Sequence, residues 1–345
     1  SLKIGFRVDS SELIGAGHVV RCIALAQEMK KRNIEIFFIS YNNLPFLKQY
    51  ILSQGFDLFE ISEINKTKIN WNKDLEKTLN VLEEVSLDAL IVDHYALGLG
   101  WLSGIKEKIE KLVVIDDMPG RKVVCDILID QNLGREAKHY SSFIEDKTKL
   151  ILGKEFVLTR QEFKENRARA LKKREEFSGI KSILLSLGGS EDPRNYLRII
   201  NNISKSEIDS LSQVTLAPGF LDSPETIFKD LTRHSSLKVE ILSNPLDILE
   251  AMIKADISIG YAGSSSWERC ILGLPTLVKA VSKNQLFIAE SLKKEGVAKI
   301  WNNEKDLRNL ILEMNIEDNW YKAVSASKNI CDGNGSRRVV DAILE

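Results

Sequence analysis

Short apolar stretches of strand length alternate with stretches of helical period along almost the whole chain. In the first half, an apolar strand at 3–8 precedes a stretch at 18–31 whose apolar positions recur three and four residues apart. Strands that alternate with helices predict a parallel sheet covered on both faces. The other predicted elements of this half are strands at 34–39, 57–60, 89–92, 111–115 and 126–129 and helices at 44–54 and 72–85.

The alternation stops at a charged segment and then begins again. Residues 163–177 contain six basic and three acidic side chains with little hydrophobic period, which indicates a solvated linker or helix between domains and not a nucleic-acid-binding patch. The predicted strands that follow are 182–187, 213–216, 237–241, 257–260, 276–278 and 298–301, and the predicted helices are 196–203, 246–252, 266–272, 285–293, 307–314, 320–329 and 336–344. The pattern predicts two doubly wound α/β domains in series: a Rossmann-like domain at 1–162, a second at 178–334, and a closing helix at 335–345.

Composition narrows the class of protein. The chain has 345 residues, 43% of them hydrophobic, and its 48 basic and 49 acidic side chains give a net charge of −1. The balanced charge gives no indication of a nucleic-acid partner. Without an 18-residue apolar run or a signal pattern, we expect neither membrane insertion nor export. Four widely spaced cysteines predict buried thiols in a reducing cytoplasm, and four histidines without a pair at helical spacing argue against zinc. We expect a cytoplasmic monomer or weak homo-oligomer without cofactor or metal.

The turn after the first predicted strand carries the residues best suited to catalysis. Gly15 and Gly17 lie between strand and helix, where a backbone without side chains approaches a ligand closely and helical N–H groups point outward. His18 opens the helix, so its imidazole can exchange a proton beside a bound anion. A tight turn with a helix-capping histidine would give the same pattern, and this segment alone does not separate the two interpretations.

Two turns in the second half have the composition of phosphate-binding turns. The first ends a predicted strand and precedes a helix start at Asp192 and Pro193. The second is rich in small and hydroxyl side chains and opens a helix, which suits a diphosphate, and Glu268 one turn later can accept hydrogen bonds from ribose hydroxyls. A serine-capped helix with a solvent-facing acid is the alternative. Neither turn matches a dinucleotide fingerprint or a Walker motif. The predicted UDP-binding residues are Gly188, Gly189, Ser190, Gly263, Ser264, Ser265 and Glu268.

The ordered set of motifs resembles the UDP-sugar hydrolases of pseudaminic acid biosynthesis over essentially the whole chain. The resemblance implies the GT-B architecture, in which two Rossmann-like domains face each other across a cleft. It further implies that UDP is held mainly by the C-terminal domain and the sugar in the cleft. The motifs are Arg7-Val8-Asp9, Gly15-Ala16-Gly17-His18 with Arg21, Val92-Asp93-His94-Tyr95, Ile115-Asp116-Asp117, Asp130-Gln131-Asn132, Gly153 with Arg160 and Phe163, Gly188-Gly189-Ser190 with Asp192, Gly263 to Glu268, Gly273-Leu274-Pro275, Asn284-Gln285, and Asp332-Gly333 with Gly335 and Arg337.

The chemistry of such a substrate assigns roles to the first turn. Diphosphate leaves as a stable anion, so displacement at the anomeric carbon needs a base for water but little acid assistance. His18 is the predicted base. Asp9 either orients that ring or the water or caps the turn, and Arg7 and Arg21 hold phosphate oxygens or the local geometry.

Three further residues are candidates for substrate contact. Tyr95 follows a strand end that opens on the ligand crevice of a doubly wound sheet. Asn284 and Gln285 begin a helix and offer amides to the sugar, although an asparagine cap would look the same. The resemblance favours substrate contact for Tyr95 and Asn284. Asp93 is interpreted as structural, His94 as facing a neighbouring loop, and Asp116-Asp117 as loop caps or hinge contacts.

Three functions remain open at this point. A UDP-sugar hydrolase is the first hypothesis, and an inverting GT-B glycosyltransferase with a UDP-sugar donor is the second. The third is a UDP-sugar-binding module without catalysis, which the histidine in the glycine turn disfavours. The three differ in whether UDP-sugar is consumed without an acceptor and whether His18 is needed.

Overall fold

Two compact units make up the chain. The structure is a computed structural model that describes residues 1–63, 68–188, 191–219, 229 and 237–345. One unit contains Ser1–Gln161 and Asn334–Glu345, and the other contains Glu162–Gly333. Each unit is built on one parallel sheet, and in the described ranges helices join most of the successive strands, which confirms the predicted class of two doubly wound α/β domains.

The first unit contains a seven-stranded sheet in which all neighbouring strands are parallel. Its strands are β1 (Lys3–Val8), β2 (Glu35–Ser40), β3 (Asp57–Glu60), β4 (Ala89–Asp93), β5 (Lys111–Ile115), β6 (Ile127–Asp130) and β7 (Lys149–Leu152). Its helices up to this point are α1 (Gly17–Lys30), α2 (Pro45–Ser53), α3 (Trp71–Val85) and α4 (Leu99–Lys106). The strand order is β3-β2-β1-β4-β5-β6-β7, so the winding direction reverses between β1 and β4.

The second unit contains a six-stranded parallel sheet. Its helices begin with α5 (Gln161–Glu165), at the boundary between the units, and α6 (Arg167–Lys173). The later elements are β8 (Ser182–Ser186), α7 (Pro193–Ser204), β9 (Gln213–Leu216), β10 (Lys238–Ile241), α8 (Ile248–Lys254), β11 (Ile257–Tyr261), α9 (Ser265–Ile271), β12 (Thr276–Lys279), α10 (Lys283–Lys294), β13 (Ala298–Ile300), α11 (Leu307–Met314) and α12 (Glu317–Lys328). The strand order β10-β9-β8-β11-β12-β13 reverses between β8 and β11.

The chain ends in α13 (Gly335–Leu344), which is part of the first unit. Lys111 Nζ donates to the carbonyl of Ile343 at 2.6 Å, and Lys149 forms an ion pair with Glu345 at 2.7 Å. A Cβ on Gly335 would lie 2.0 Å from the carbonyl oxygen of Val157, so only glycine permits this approach. The closing helix therefore packs on the N-terminal sheet.

The charged segment at 163–177 lies within the second unit. It includes α6, and its burial is uneven: Phe163 and Ala170 are fully buried although most of their neighbours are charged. Arg174 is 2% exposed, and its guanidinium donates to three backbone carbonyls. The segment is thus packed against the rest of the second unit, which its high charge content did not indicate.

Two elements of the first unit have no counterpart in the sequence prediction. The strand β7 has only four residues, and α4 contains Gly100 and Gly104, which weaken a helical pattern. A Cβ on Gly104 would lie 2.5 Å from Leu75 Cδ2, so the glycine allows α4 to pack closely on α3. None of the helices in the described ranges is long and apolar enough to cross a lipid bilayer.

Candidate functional site

The site lies where the first sheet reverses its winding direction. The neighbouring strands β1 and β4 are paired in register, with Val8 opposite Asp93 at their carboxyl ends. In open parallel sheets the loops that leave such a pair of strands form the ligand-binding crevice. The loop after β1 leads to His18, and Asp93 is the last residue of β4.

The loop between β1 and α1 is held by its own backbone. Gly15 N donates to the carbonyl of Ser11 at 2.7 Å, and Ile14 N donates to Ser11 Oγ at 3.0 Å. Gly15 has φ of +82°, a conformation that side chains disfavour, and no atom lies within 4 Å of the position a Cβ would take. Gly17 is the first residue of α1, and His18 is the second. The closed loop therefore fixes the imidazole at the start of the helix.

His18 is paired with Asp93. Its Nδ1 lies 2.6 Å from Asp93 Oδ1, so Nδ1 carries the hydrogen and Nε2 is left as the acceptor. Arg21, one turn along α1, donates from Nε and Nη2 to the two oxygens of the same carboxylate at 2.5 and 2.7 Å. Arg21 Nη2 also lies 3.1 Å from His18 Nδ1, which with Nδ1 protonated is a contact between two donors. The imidazole is thus locked in the orientation and tautomer of a base.

A second carboxylate, Asp117, closes this cluster. Arg21 Nη1 donates to Asp117 Oδ2 at 3.1 Å, and the Tyr95 hydroxyl donates to Asp117 Oδ1. Tyr95 is 41% exposed, and its ring meets the His18 imidazole edge-on, with ring centroids 4.8 Å apart. Tyr95 is therefore the accessible side chain of the cluster, and its edge-on contact helps to fix the His18 ring.

Burial and charge act against each other in this cluster. Burial alone would raise the pKa of Asp93, but Arg21 and then His18 outweigh it and lower that pKa. Burial also raises the pKa of Tyr95, and the negative charge of Asp117 raises it further, so the phenol stays protonated. The groups around the His18 ring thus include one guanidinium, that of Arg21, and two carboxylates, those of Asp93 and Asp117.

Asp9 and Arg7 occupy a separate buried network, which agrees with the structural alternative stated for each of them and not with a catalytic Asp9 or a substrate-binding Arg7. Asp9 accepts hydrogen bonds from Arg7 Nη1 at 2.7 Å and from His94 Nε2 at 2.8 Å, and none of its contacts is with His18. Arg7 is 0% exposed and bridges Asp9 to Asp74 of α3. A side chain without accessible surface cannot touch a substrate, so the expected substrate contact of Arg7 is at odds with its burial. The carboxylate that orients His18 is Asp93.

His94 belongs to the same network. Ala96 N donates to His94 Nδ1 at 3.0 Å, which leaves the ring hydrogen on Nε2, where it is donated to Asp9. Asp9 is the first residue of the loop after β1, so this contact agrees with the neighbouring loop expected for His94. Burial would raise the pKa of Asp9, but Arg7 and then the hydrogen bond from His94 lower it. This network anchors α3 and the start of the loop between β1 and α1 to β1.

A buried acidic cluster follows along the same sheet edge. Asp130, at the end of β6, accepts from Tyr140 at 2.6 Å and lies 2.6 Å from Arg135 Nε. Burial raises the pKa of Asp130 to about 6. Asp116 accepts at Oδ1 from the backbone N of the two following residues, as expected for a loop cap, and burial raises its pKa. In the described part of the chain no three His, Cys, Asp or Glu side chains are grouped as metal ligands.

The predicted UDP-binding residues group at the reversal point of the second sheet, as far as they are described. Gly188 follows β8 with φ of +87°. The position that a Cβ would take on Gly188 lies 3.9 Å from Tyr261 Cδ2. Gly189 and Ser190 lie outside the described residues. Gly263 follows β11, Ser264 is the N-cap of α9, Ser265 begins that helix, and Glu268 is half-buried within it.

The two predicted amides lie in the same unit as these turns. Gln285 Nε2 is 3.9 Å from the Cβ position of Gly263, and its Oε1 accepts from Val281 N at 3.0 Å. Asn284 Oδ1 accepts from Ser282 Oγ at 2.5 Å, so this side chain closes the start of α10. Of the two amides, that of Gln285 is therefore the one that lies close to the Gly263 turn.

Comparison with known sequences gives distant relatives. No protein-family profile matches the chain. An uncharacterized protein of Methanocaldococcus jannaschii is 28% identical over 281 residues, which are 80% of this chain and 55% of that protein. The chain thus spans about half the length of this relative. The UDP-2,4-diacetamido-2,4,6-trideoxy-beta-L-altropyranose hydrolase of Campylobacter jejuni is 23% identical over 295 residues, 86% of this chain and 97% of the hydrolase.

Solved structures match over the entire length. MurG of Acinetobacter baumannii has a TM-score of 0.70 at 15% identity and covers 100% of this chain and 99% of its own. The UDP-GlcNAc 2-epimerase of Neisseria meningitidis, solved with UDP-GlcNAc, has a TM-score of 0.70 at 14% identity, with 99% and 100% covered. The chain has the GT-B fold. This confirms the fold expected from the motifs.

From the sequence, Asp93 is interpreted as structural and Asp117 as a loop cap or hinge contact, and neither of them is connected with His18. Both lie at the carboxyl end of a buried strand. The strand order would have indicated their role. Because β4 lies next to β1 and β5 lies next to β4, the carboxyl ends of these strands bring both carboxylates to the same edge of the sheet as the loop that leads to His18. Sequence spacing alone does not give that order.

Proposed function

We propose that the protein hydrolyses a UDP-linked diacetamido-trideoxy sugar at its anomeric C–O bond. The products are UDP and free 2,4-diacetamido-2,4,6-trideoxy-L-altrose, a precursor for pseudaminic acid synthesis. The observation that carries this proposal is the His18 Nδ1–Asp93 Oδ1 hydrogen bond of 2.6 Å, because it leaves Nε2 as a base at the reversal point of the sheet. The similarity to the Campylobacter jejuni hydrolase supports the substrate class.

In the proposed reaction His18 Nε2 takes a proton from water as the water oxygen bonds to the anomeric carbon. The glycosidic C–O bond breaks, and its electron pair leaves with the phosphate oxygen of UDP. The resulting imidazolium is stabilised by the Asp93 carboxylate, which accepts the hydrogen bond from Nδ1. The diphosphate is a good leaving group, so a general acid is not part of the proposal.

The remaining residues divide between the two parts of the substrate. We assign UDP to the turns that contain Gly188–Ser190 and Gly263–Ser265, with Glu268 as acceptor for ribose hydroxyls. We assign the sugar and its acetamido groups to Gly15, Gly17, Tyr95, Asn284 and Gln285. Three buried residues have supporting roles in this proposal. Arg21 and Asp93 orient His18, and Asp9 stabilises the loop that carries it.

The assay for this function is release of UDP without an acceptor. Purified protein is mixed with UDP-2,4-diacetamido-2,4,6-trideoxy-β-L-altropyranose and EDTA, and UDP is followed with time. Loss of a general base lowers the rate by about 10²–10⁴-fold, so we expect H18A to fall by that factor. H94Q is the matched control, since His94 is equally buried but pairs with Asp9, and it keeps most of the activity. Equal rates for wild type and H18A would contradict the proposal.

A GT-B glycosyltransferase is the alternative that the same dyad permits. A His–Asp base removes a proton from an acceptor hydroxyl as readily as from water. Such an enzyme would release UDP only slowly until an acceptor is added. Negligible turnover without acceptor, together with a large increase on adding one, would therefore favour the transferase.

A further inference from the structure

A buried arginine lies at the reversal point of the second sheet. Arg269 of α9 is 1% exposed, and its Nη2 donates to the carbonyl of Tyr261 at 3.2 Å and to Ser266 Oγ at 2.9 Å. The position that a Cβ would take on Gly260 is 3.7 Å from Arg269 Nη1 and 2.0 Å from the carbonyl oxygen of Ser186. The guanidinium therefore lies between the carboxyl ends of β8 and β11, from which the Gly188 and Gly263 turns depart.

Most N–H groups of this guanidinium have no hydrogen-bond acceptor among the described residues. In the described ranges neither Nε nor Nη1 of Arg269 has a hydrogen-bond acceptor, and its guanidinium has no carboxylate within ion-pair distance. Burial lowers the pKa of Arg269 to about 10, and the neighbouring Cys270 and Glu268 do not offset this. Buried charges are normally paired, because an unpaired one costs free energy. The site thus lacks one negative charge.

We propose that Arg269 is a positioning residue for the phosphate groups of the bound nucleotide, which supply the missing negative charge. This rests on the proposed function, since it takes UDP as the ligand of the two turns. Arg269 has almost no accessible surface, so it acts through its neighbours. Its bond to Ser266 Oγ leaves the Ser266 hydrogen available as a donor, and its bond to the Tyr261 carbonyl fixes the start of the Gly263 turn. Its charge favours a phosphate there over a neutral group.

Arg174 provides a matched control in the same unit. It is 2% exposed, and burial lowers its pKa to about 10 as well. All three of its guanidinium nitrogens donate to backbone carbonyls at 2.8 Å, those of Met252, Ala255 and Leu272. These carbonyls lie near the amino end of β11, away from the nucleotide turns. Arg174 therefore represents a buried arginine whose role is structural.

The test compares the affinity for UDP with the affinity for uridine. Isothermal titration calorimetry measures both ligands on wild type, R269M, R269K and R174M, and thermal unfolding is measured without ligand. We expect R269M to weaken UDP binding by about tenfold or more, as for loss of a charge-assisted interaction, with uridine unchanged. R269K keeps most of the preference for UDP. Without ligand R269M unfolds at or above the wild-type temperature, because an unpaired charge is removed, whereas R174M unfolds lower.

Several results would overturn the inference. One is R269M binding UDP as tightly as wild type, and another is an equal loss for UDP and uridine, which is what a structural role predicts. If R269M fails to fold, R269K decides: a buried lysine loses its charge at lower pH than arginine, so its UDP preference must fall as pH rises while that of wild type does not. A pH-independent preference in R269K would refute the inference. Absence of UDP binding to wild type would overturn the proposed function as well.

Discussion

Replacing Asp93 by asparagine tests whether the buried carboxylate makes His18 a base. In either orientation of the new amide, its NH2 group opposes an N–H of Arg21, at the positions now 2.5 and 2.7 Å away. In the orientation that puts this NH2 beside His18, it donates to Nδ1 and moves the ring hydrogen to Nε2, which can no longer accept a proton. In both orientations the negative charge that stabilises the imidazolium is lost.

The size of the effect follows from these contacts. General-base catalysis contributes about 10²–10⁴-fold, so D93N is expected to lower kcat by that factor, about 3–5 kcal/mol of transition-state stabilisation. Removing one partner of a buried ion pair costs about 3–5 kcal/mol of stability. The lower end applies here, because Arg21 keeps Asp117 at 3.1 Å. The variant should remain folded, since domains have about 5–15 kcal/mol of stability.

Asp9→Asn is the matched control for D93N. Asp9 is also buried at the end of a central strand and also contacts one arginine and one histidine, but the histidine is His94. We expect D9N to lower the free energy of unfolding by a similar amount while kcat stays within about tenfold of wild type. UDP release at saturating substrate gives kcat, and urea denaturation gives stability. The reasoning is refuted if D9N abolishes turnover and D93N retains it.

Two other substitutions test the loop and the acidic cluster. G15A forces a side chain into φ of +82° and should cost about 1–2 kcal/mol in urea denaturation, whereas G17A at the start of α1 should be tolerated; equal effects would contradict the loop's role. Burial raises the pKa of Asp130 from 3.8 to about 6, so this group stabilises the fold at low pH and that contribution is lost as pH rises through about 4–6. The unfolding free energy of wild type relative to D130N should therefore fall by roughly 1–3 kcal/mol across this range, and a constant difference would contradict the burial argument.

The architecture of each domain could be predicted because the pattern that encodes it is local. Buried parallel strands are continuous apolar runs, so β1, β4 and β5 were recognised within a residue or two of their bounds. The prediction missed α4, since the glycines that let it pack on α3 resemble loop residues in the sequence. It also treated 163–177 as solvated, because charge composition does not reveal that Arg174 is buried against carbonyls.

The candidate site was predicted only in part, for the same reason. The glycine turn and His18 are close in sequence, so their proximity could be predicted from spacing. Asp93 lies 75 residues from His18 in the sequence. Whether Asp93 or Asp9 pairs with His18 depends on where β4 places the Asp93 carboxylate and where α1 places the His18 ring. Arg7 and Asp9 are two residues apart, one in β1 and one in the loop after it, and they form a buried ion pair with each other. A sequence motif does not show whether such residues face each other or the ligand.

Hydrolysis with oxygen-18 water tests the central claim most directly. Wild type and H18A are incubated with UDP-2,4-diacetamido-2,4,6-trideoxy-β-L-altropyranose and EDTA in labelled water, and mass spectrometry locates the label in the products. Attack at the anomeric carbon by water that His18 activates predicts the label in the free sugar, none in UDP, and loss of the reaction in H18A. Label in UDP would mean attack at phosphorus and would contradict the account.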